Sequence, residues 1–556
     1  MTESPNRSTI RPGVSLSAAS TLFLVAVCAV FATSPVVVSA EQRPNVIVIV
    51  ADDLGYADMS FLPQSPKDVK TPGIDRLADS GTYFTDAYAT SPICSPSRAG
   101  LITGRYQQRW GNYWYGQGGL PKSEVTIAHA LKELGYFTKK IGKTHLNGGP
   151  AQHPLDHGFD EFLGFITHTW DYVRLSQSDL DAYRARANGK KLGMLYVGPL
   201  TRGRDEKVSY EDGFTTQIFT DEAVRTIREG AKSDKPFFIE LEYNAVHMPT
   251  YVTHPAYAKR VGLEQKKWDR AAEEWDFPYW DPRKMSWGEW HKSWGHLGKV
   301  DPLGRKCYLS HLMAMDDGIA EILNSIEETG QRENTIVMFL SDNGGTINTY
   351  SNNAPLRGYK YMFGEGGIRI PLIVSWPGHL PTGKRNSSLV SAIDIFPTIL
   401  EFAGNDDVPA DLDGRSLVKT ITAEQSVDVH DHLCWAKSKR DDTWVIRSGK
   451  WKLIHSKGWT HSNYVLDEEG LASAAPDYEY PEGTLLFDLT NDIGETTNVA
   501  AEHPQVVREM TLAYEQWKAR MIESQQQQKR SEEELYDLRK DPDQLRNVAD
   551  DPATAG

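Results

Sequence analysis

The chain has 556 residues, more than one hydrophobic core usually organises, so two domains are expected. A hydrophobic content of 40% with 10% aromatic residues excludes a disordered chain. The net charge of −15 argues against nucleic acid as the main partner, although a local basic pocket could still bind an anionic substrate.

Residues 1–40 have the pattern of a secretory signal. Two arginines precede an apolar run at 18–32 that is too short to span a bilayer comfortably, and Val38-Ser-Ala40 suits signal cleavage. This pattern predicts an exported protein, periplasmic or secreted, with no transmembrane segment after signal removal. A membrane anchor and a lipoprotein are the alternatives, and the bulky Val27 before Cys28 weakens the second.

The β-branched run from Pro44 to Ala51 predicts a first strand that is buried on both faces of a sheet. Asp52 and Asp53 follow at its carboxyl end, where α/β sheets bind ligands. Alternating helix and strand patterns then predict an α/β fold, with a large doubly wound mixed sheet flanked by helices. The predicted helices lie at 71–80, 125–134, 214–229, 317–328 and 391–400, and the next strands at 136–141, 236–243 and 335–340.

The segment from Pro92 to Arg105 predicts a loop that leads into a short helix. Ser95 suits the N-cap and Gly104 the C-terminal end, so Cys94 would lie just before a helix N-terminus. Arg98 falls in the first turn, which is the unfavourable end for a cation, and this placement indicates another partner. Taken alone, the pair also fits a buried free cysteine beside a surface arginine.

Polar side chains also follow the later strands. Lys143 and His145 follow the second strand, where a spacing of two places them on one side of an extended chain. His247 follows the third strand, and Asp342-Asn343 follow the fourth. Because the carboxyl ends of parallel strands meet at one edge, we expect these clusters to converge.

Four of these residues offer hard oxygen ligands: Asp52, Asp53, Asp342 and Asn343. No cysteine pair or histidine cluster accompanies them, so they fit Ca²⁺ or Mg²⁺ rather than zinc. Carboxylates brought close together repel unless a cation neutralises them. Helix caps and turns are the alternative role for such residues.

Residues 250–302 interrupt the pattern with six tryptophans among charged side chains, namely Trp268, Trp275, Trp280, Trp287, Trp290 and Trp294. A stacking wall for sugar rings near the cleft is one interpretation. A satellite cluster that holds a long loop in place is the other.

The alternation of helix and strand patterns ends near residue 411. Beyond it, a hairpin at 444–454, a strand at 485–489 and a helix at 504–521 are predicted. We therefore predict a smaller C-terminal α+β domain built on an antiparallel sheet. The expected division is a catalytic domain at 41–410, the C-terminal subdomain at 411–523 and a Gln-rich, charged tail at 524–556. The tail repeats Leu486-Phe-Asp-Leu as Leu535-Tyr-Asp-Leu, which indicates a partial duplication or an extra edge element.

The string Cys94-Ser-Pro-Ser-Arg98, followed by Leu101-Ile-Thr-Gly-Arg105, resembles the signature of the type I sulfatases of the alkaline-phosphatase superfamily. The resemblance runs from Pro44 to about Asn498. It implies that a formylglycine-generating maturation enzyme converts Cys94 to formylglycine (3-oxoalanine). The hydrate of this aldehyde would be the nucleophile, and its oxygen suits a hard cation better than a thiol does.

The resemblance also implies a role for each polar residue at the strand ends. Residue 94 would complete the cation site formed by the four oxygen ligands, and Arg98 would hold the formylglycine. Lys143 would bind sulfate, His145 would contact the second hydrate hydroxyl, and His247 would protonate the leaving oxygen.

A last motif of the resemblance is Pro355-Leu-Arg-Gly-Tyr-Lys360, followed by Glu365-Gly-Gly-Ile-Arg-Ile-Pro371. It implies that Lys360 binds sulfate, although Tyr359 replaces a common glycine of the motif.

The implied function is hydrolysis of sulfate monoesters. Export and the tryptophan-rich insertion favour a sulfated carbohydrate as the substrate. A phosphonate or phosphate ester hydrolase of the same superfamily is one alternative. A secreted glycan-binding protein without turnover is the other.

Overall fold

The structure is a computed structural model that describes residues 43–114, 117, 119–146, 153–168, 172, 199–208, 210, 213–248, 250, 253–263, 303–405, 409, 411–440, 442–467 and 472–540. The signal at 1–40 and the tryptophans of the insertion lie outside the described residues. The strands are β1 Asn45–Ala51, β2 Thr82–Tyr88, β3 Phe137–Lys143, β4 Glu161–Phe165, β5 Leu200–Arg202, β6 Glu206–Val208, β7 Phe237–Glu242, β8 Thr335–Ser341, β9 Arg369–Ser375, β10 Lys384–Asn386, β11 Val390–Ser391, β12 Leu433–Ala436, β13 Trp444–Ser448, β14 Trp451–Leu466 and β15 Ala472–Asp488. The α-helices are α1 Pro72–Asp79, α2 Cys94–Thr103, α3 Ile127–Glu133, α4 Thr215–Gly230, α5 Pro255–Arg260, α6 Gly304–Glu328, α7 Glu365–Ile368, α8 Ile395–Phe402, α9 Val418–Thr422 and α10 Pro504–Lys540.

The first strand, β1, lies in the middle of an eleven-stranded sheet with the order β10-β2-β9-β8-β1-β7-β3-β4-β5-β6, and β11 pairs with β2. The five strands from β8 to β4 run parallel. Strand β9 is antiparallel to both β8 and β2, and β5 and β6 form an antiparallel edge. The predicted mixed α/β sheet is therefore confirmed.

Side chains of β1 alternate between two buried clusters, one on each face of the sheet. Ile47 and Ile49 pack with residues of α1, α4 and α6. Val46 and Val48 pack with residues of α2, α3 and α8. Helices thus cover both faces, which explains why the sequence of β1 is apolar throughout.

Two helices are longer than the sequence patterns indicate. Helix α6 begins well before residue 317, because Tyr308 and Leu312 continue its buried face toward the insertion. Helix α10 continues to Lys540 through a segment rich in Gln, Glu, Lys and Arg, which favour helix. The repeated motif at 535–538 is therefore helical, and the interpretation as an extra edge element is wrong.

None of the helices in the described ranges is both long enough and apolar enough to cross a membrane.

A second, antiparallel sheet has the order β12-β13-β14-β15, and the predicted hairpin is its β13–β14 pair. One face packs against α10, where Trp444 stacks on Tyr514. The other face carries Trp435 and packs against Phe363 and Ile368, which precede β9 of the large sheet. The smaller C-terminal α+β part is therefore confirmed, whereas its boundaries stay predictions.

Gly142 illustrates how closely the strands approach one another below the predicted site. It has a φ of 94°, and a Cβ there would lie 2.0 Å from the carbonyl oxygen of Glu242 on β7. Gly135 has a similar φ of 88°, but among the described residues no atom would lie within 4 Å of its Cβ.

We expect Gly142→Ala to lower the free energy of unfolding by more than Gly135→Ala does. The left-handed backbone costs an alanine about 1–2 kcal/mol at either position, and only the first substitution adds a backbone clash. Denaturant unfolding of both variants measures the difference. Equal losses would contradict the packing described for β3 and β7.

Candidate active site

Strands β1 and β8 are neighbours, and Ala51 lies opposite Ser341 in their register. Asp52 and Asp53 therefore leave the sheet beside Asp342. One ligand oxygen from each of these three aspartates lies within 4.8 Å of the others, and all three residues are buried. The backbone N–H of Asp53 donates to Asp342 Oδ1 at 3.2 Å, with Asp53 in the left-handed region at a φ of 62°.

Asn343 lies against the same carboxylates. Its Nδ2 donates to Asp53 Oδ1 at 2.7 Å. Its Oδ1 is buried without a hydrogen-bond donor among the described residues. Asp52 Oδ1 is also buried and accepts no hydrogen bond from them, although Arg98 Nη2 lies 3.4 Å away. Buried oxygens lacking donors, in a cluster of carboxylates, are what a hard divalent cation requires of its ligands.

Helix α2 begins at Cys94, two residues earlier than an N-cap at Ser95 implies. Its N-cap is Ile93, whose side chain makes no capping hydrogen bond, so the prediction of Ser95 as the N-cap is wrong. Gly104 ends the helix with a φ of 65°, as predicted. With this start, the Cys94 side chain lies against the strand ends.

Cys94 lies inside the cluster of polar groups. A ligand atom from each of Cys94, Asp52 and His247 lies within 4.8 Å of the others. Burial raises the pKa of the thiol, although Lys360 and Lys143 act in the opposite direction. An unmodified Cys94 is therefore a neutral thiol and a poor nucleophile.

The guanidinium of Arg98 is buried among carboxylates, which explains its place in the first turns of α2. Its Nη2 lies 2.7 Å from Asp342 Oδ2 and 3.4 Å from Asp52 Oδ1, and its Nη1 donates to Glu242. Burial alone would lower the pKa of Arg98, but these carboxylates raise it well above its usual value. Its contact with formylglycine stays a prediction.

Glu242 is a site residue that the sequence analysis missed. It ends β7, pairs with Arg98, and lies 3.0 Å from the ammonium of Lys140 on β3. The available signal was the charged pair Glu240 and Glu242 in an otherwise apolar strand, because buried charges need partners.

Two lysines reach the aspartates, Lys143 from the end of β3 and Lys360 from a loop that precedes β9. Lys143 Nζ lies 2.5 Å from Asp52 Oδ2, and Lys360 Nζ lies 2.6 Å from Asp53 Oδ1. Burial disfavours a charged Lys360, but Asp53 outweighs this effect and raises its pKa well above the usual value. The ring of Tyr359 points away and stacks on Tyr464, so the replaced glycine does not keep Lys360 from the site.

His145 lies in the site, but for a different reason than its spacing from Lys143 suggested. The chain is not extended there, since His145 has a φ of 48°. Burial, followed by the charges of Lys143 and Arg98, lowers its pKa well below the usual value.

His247 has one ring nitrogen directed toward the cluster. Its Nδ1 lies 2.6 Å from the carbonyl oxygen of Met248, which can only accept, so Nδ1 carries a proton. Its Nε2 lies 3.7 Å from Asp53 Oδ2. Burial, then Lys143 and Lys360, lower the pKa of His247 well below its usual value.

A further histidine, His168, was not singled out from the sequence. Its ring centroid lies 5.9 Å from that of His145. Burial, followed by the charges of Lys143 and Lys360, lowers its pKa to about 4. It follows β4 in a loop with no distinctive motif, so no sequence signal pointed to it.

The sulfatase family model matches residues 44–405. This chain belongs to the sulfatase family. It is a sulfuric ester hydrolase, and the predicted family resemblance is confirmed. Models for the C-terminal regions of N-sulphoglucosamine sulphohydrolase and of aryl-sulfatase match residues 358–469 and 430–536 of this sulfatase.

Three known proteins illustrate the likeness. The N-acetylgalactosamine-6-O-sulfatase of Bacteroides thetaiotaomicron is 29% identical, over 86% of this chain and 94% of the relative. The crystal structure of Ps i-CgsB in complex with k-i-k-neocarrahexaose has a TM-score of 0.68 at 30% identity, over 86% of this chain and 93% of that one. A phosphonate monoester hydrolase of Agrobacterium radiobacter has a TM-score of 0.55 at 22% identity, over 87% and 96% of the two chains, and this likeness shows the fold alone.

We expect chelation to destabilise the sulfatase, because three buried carboxylates would then face one another without a divalent cation. Dialysis against EDTA should lower the midpoint of thermal unfolding, and Ca²⁺ at about 100 times its Kd should restore roughly 2.7 kcal/mol. Asp342→Asn should lose most of the Ca²⁺ effect. The matched control Asp58→Asn removes a buried carboxylate paired with Arg305 and should keep that effect. An unchanged midpoint after chelation would contradict a cation at this site.

Proposed function

We propose that this sulfatase hydrolyses sulfate monoesters of a carbohydrate with a formylglycine formed from Cys94 and a divalent cation, Ca²⁺ or Mg²⁺. The observation that carries the proposal is the cluster of buried carboxylates around Cys94. The side chains of Arg98, Lys143 and Lys360 form ion pairs with these carboxylates. The Nε2 of His247 lies 3.7 Å from Asp53 Oδ2. The proposed metal ligands are Asp52, Asp53, residue 94, Asp342 and Asn343.

The donor set fits both groups. Oxygen ligands without a second sulfur favour a hard cation, and such a cation prefers a hydrate oxygen to a thiol at residue 94. When present, the cation and the hydrated aldehyde together supply an activated hydroxyl for covalent catalysis. Arg98 is bound by Asp342 and Glu242. These contacts hold the start of α2, and with it residue 94, next to the strand ends.

Lys143 and Lys360 are proposed to bind the sulfate group. The Lys143 ammonium, from the end of β3, contacts Asp52, and the Lys360 ammonium, from its loop, contacts Asp53. Two positive groups at this place would oppose the negative charge that builds on sulfate and on the leaving oxygen.

His247 is proposed to protonate the leaving alcohol. Because Nδ1–H is bound to Met248, Nε2 is the atom that can carry and release a proton toward the site. An anionic sulfate ester beside His247 would offset Lys143 and Lys360 and so raise its pKa. His145 is proposed to accept the proton of the second hydroxyl in the step that releases sulfate.

The proposal includes export to the periplasm or the medium, and conversion of Cys94 by a formylglycine-generating maturation enzyme. The signal pattern at 1–40 supports the first part. The string Cys94-Ser-Pro-Ser-Arg98 supports the second.

Cys94→Ala is expected to abolish hydrolysis of aryl and sugar sulfates, because no side chain would remain to form the nucleophile. The matched control Cys434→Ala removes another buried free thiol, far from the carboxylates in sequence, and should leave turnover unchanged. Mass analysis of the Cys94 peptide from active protein should show an aldehyde.

A thiol at residue 94 in fully active protein would overturn the proposed nucleophile. Turnover of a matched phosphonate ester that exceeds that of the sulfate ester by orders of magnitude would favour the phosphonate hydrolase instead. Glycan binding without any turnover would favour the binding protein.

The proposed carbohydrate substrate rests on the names of the relatives and on one exposed ring. Tyr361 is 45% exposed, although its neighbour Lys360 is buried. The Lys360 ammonium lies 5.7 Å from the Tyr361 ring centroid, so this ring stands at the entrance to the site. Aromatic faces at such an entrance suit the CH faces of a sugar ring.

We expect Tyr361→Ala to raise KM for a sulfated sugar roughly fivefold, which corresponds to about 1 kcal/mol of lost stacking. Tyr361→Phe keeps the ring and should behave like the wild type. The inhibition constant of inorganic sulfate, which has no ring to stack, should stay the same. Equal losses for the sugar ester and for sulfate would contradict stacking by Tyr361.

A further inference from the structure

The segment 355–367, here called the Lys360 loop, is closed by one backbone hydrogen bond, from the N–H of Gly366 to the carbonyl oxygen of Arg357 at 2.8 Å. It contains Gly358, Gly364, Gly366 and Gly367, and glycines lower the rigidity of a backbone. Yet Lys360 in its middle is almost completely buried, and its ammonium meets Asp53 at 2.6 Å. The hydrogen bond between Gly366 and Arg357 closes the loop, and contacts from outside the loop attach it to the rest of the molecule.

Arg357, near the beginning of the Lys360 loop, binds to the C-terminal part of the chain. The Nη1 of Arg357 donates to the carbonyl oxygen of Glu495 at 2.6 Å, and its Nη2 donates to that of Glu479 at 2.6 Å. The guanidinium also lies over the ring of Tyr480, 4.5 Å from the centroid. One side chain of the loop is thus bound to two separate stretches of the C-terminal region.

Glu495 also binds the end of the Lys360 loop. The backbone N–H of Glu365, at the start of α7, donates to Glu495 Oε2 at 2.6 Å. Lys452 Nζ lies 2.9 Å from Glu365 Oε1 and 2.8 Å from Glu495 Oε1, so the ammonium bridges both carboxylates by distance. All three side chains are 0% exposed, and at such burial unpaired charges would be very costly.

Glu495 stands out because its backbone is also unusual. It has a φ of 53°, in the left-handed region that non-glycine residues seldom adopt. Such a conformation persists only where surrounding contacts hold it, and here the same residue binds both ends of the Lys360 loop.

Between these two attachments, the loop backbone contacts the other parts of the site. The N–H of Lys360 donates to the carbonyl oxygen of Gly345 at 2.9 Å, and that of Tyr361 donates to the carbonyl oxygen of Pro92 at 2.9 Å. Gly345 lies three residues after Asp342, and Pro92 lies two residues before Cys94. A shift of the loop would therefore move Lys360 relative to the carboxylates.

We propose that Glu495, together with Lys452 and Arg357, is a positioning residue that sets the place of Lys360 in the active site. The C-terminal part of the chain thereby completes the sulfate-binding site through the Lys360 loop. This inference rests on the proposed role of Lys360 in binding sulfate. It adds that sulfate affinity depends on the buried ion pair between Lys452 and Glu495 in the C-terminal part of the chain.

The test compares Glu495→Ala and Glu495→Gln with Asp413→Asn. Alanine removes the acceptor for the Glu365 N–H and the partner of Lys452, whereas glutamine keeps an acceptor of the same shape. Asp413→Asn disrupts a half-buried ion pair with Arg109 that does not involve the Lys360 loop. Thermal unfolding of each variant records the purely structural cost.

Binding of inorganic sulfate is measured by calorimetry on the Cys94→Ala background, so the result does not depend on maturation. We expect Glu495→Ala to weaken sulfate binding about tenfold, the equivalent of 1.4 kcal/mol, and Glu495→Gln to weaken it less. Asp413→Asn should leave the affinity unchanged. In the background Cys94→Ala with Lys360→Ala, Glu495→Ala should have almost no further effect, since coupled residues are not additive.

Two results would overturn the proposal. One is a lowered unfolding midpoint for Glu495→Ala and Glu495→Gln with unchanged sulfate affinity, because Glu495 would then act on stability alone. The other is the same loss of affinity with and without Lys360, because Glu495 would then act through another group. If active protein instead kept a thiol at residue 94, the proposed nucleophile would fail while these affinities still decided the role of Glu495.

Discussion

The active site depends on the close approach of three carboxylates at the ends of two adjacent strands. Register places the residues after β1 beside those after β8, and burial removes the water that would otherwise separate their charges. Such a cluster is stable only when positive charge surrounds it. Arg98 from α2, Lys143 from the end of β3 and Lys360 from its loop supply that charge, and the cation of the proposed site would supply the rest.

The need for positive charge also explains residues that serve no obvious local purpose. Arg98 occupies the helix end that disfavours cations because its partners lie on other elements. Glu242 balances it from β7 and connects it to Lys140 on β3, so the charge network extends below the site. The Lys360 loop joins the network with support from Gly345 and Pro92 and from the C-terminal part of the chain, which links the two parts in function as well as in packing.

The sequence revealed the parts of this arrangement that have a local signature. The apolar run of β1, the aspartates after it, and the Cys94 string each mark their own place, and the carboxyl-edge rule brings them together. The residues that were missed have their partners elsewhere in the chain. Glu242 and Glu495 can be assigned a role only once the fold places Arg98 and Lys452 beside them, and no spacing within a strand or loop identifies those partners.

Local patterns also failed where tertiary contacts override them. His145 leaves the extended conformation, and α2 starts at Cys94 rather than after a capping serine. At His145 the left-handed backbone occurs in a buried residue beside the charges of Lys143 and Arg98, and strained conformations tend to concentrate at such sites.

The most direct test is a crystal structure of protein produced with the maturation enzyme and grown with Ca²⁺, with the anomalous signal of the ion recorded. Our account predicts one cation at about 2.3–2.6 Å from oxygens of Asp52, Asp53, Asp342 and the oxidised side chain at residue 94. A cation bound elsewhere, or an intact thiol at residue 94 in crystals of active protein, would contradict it.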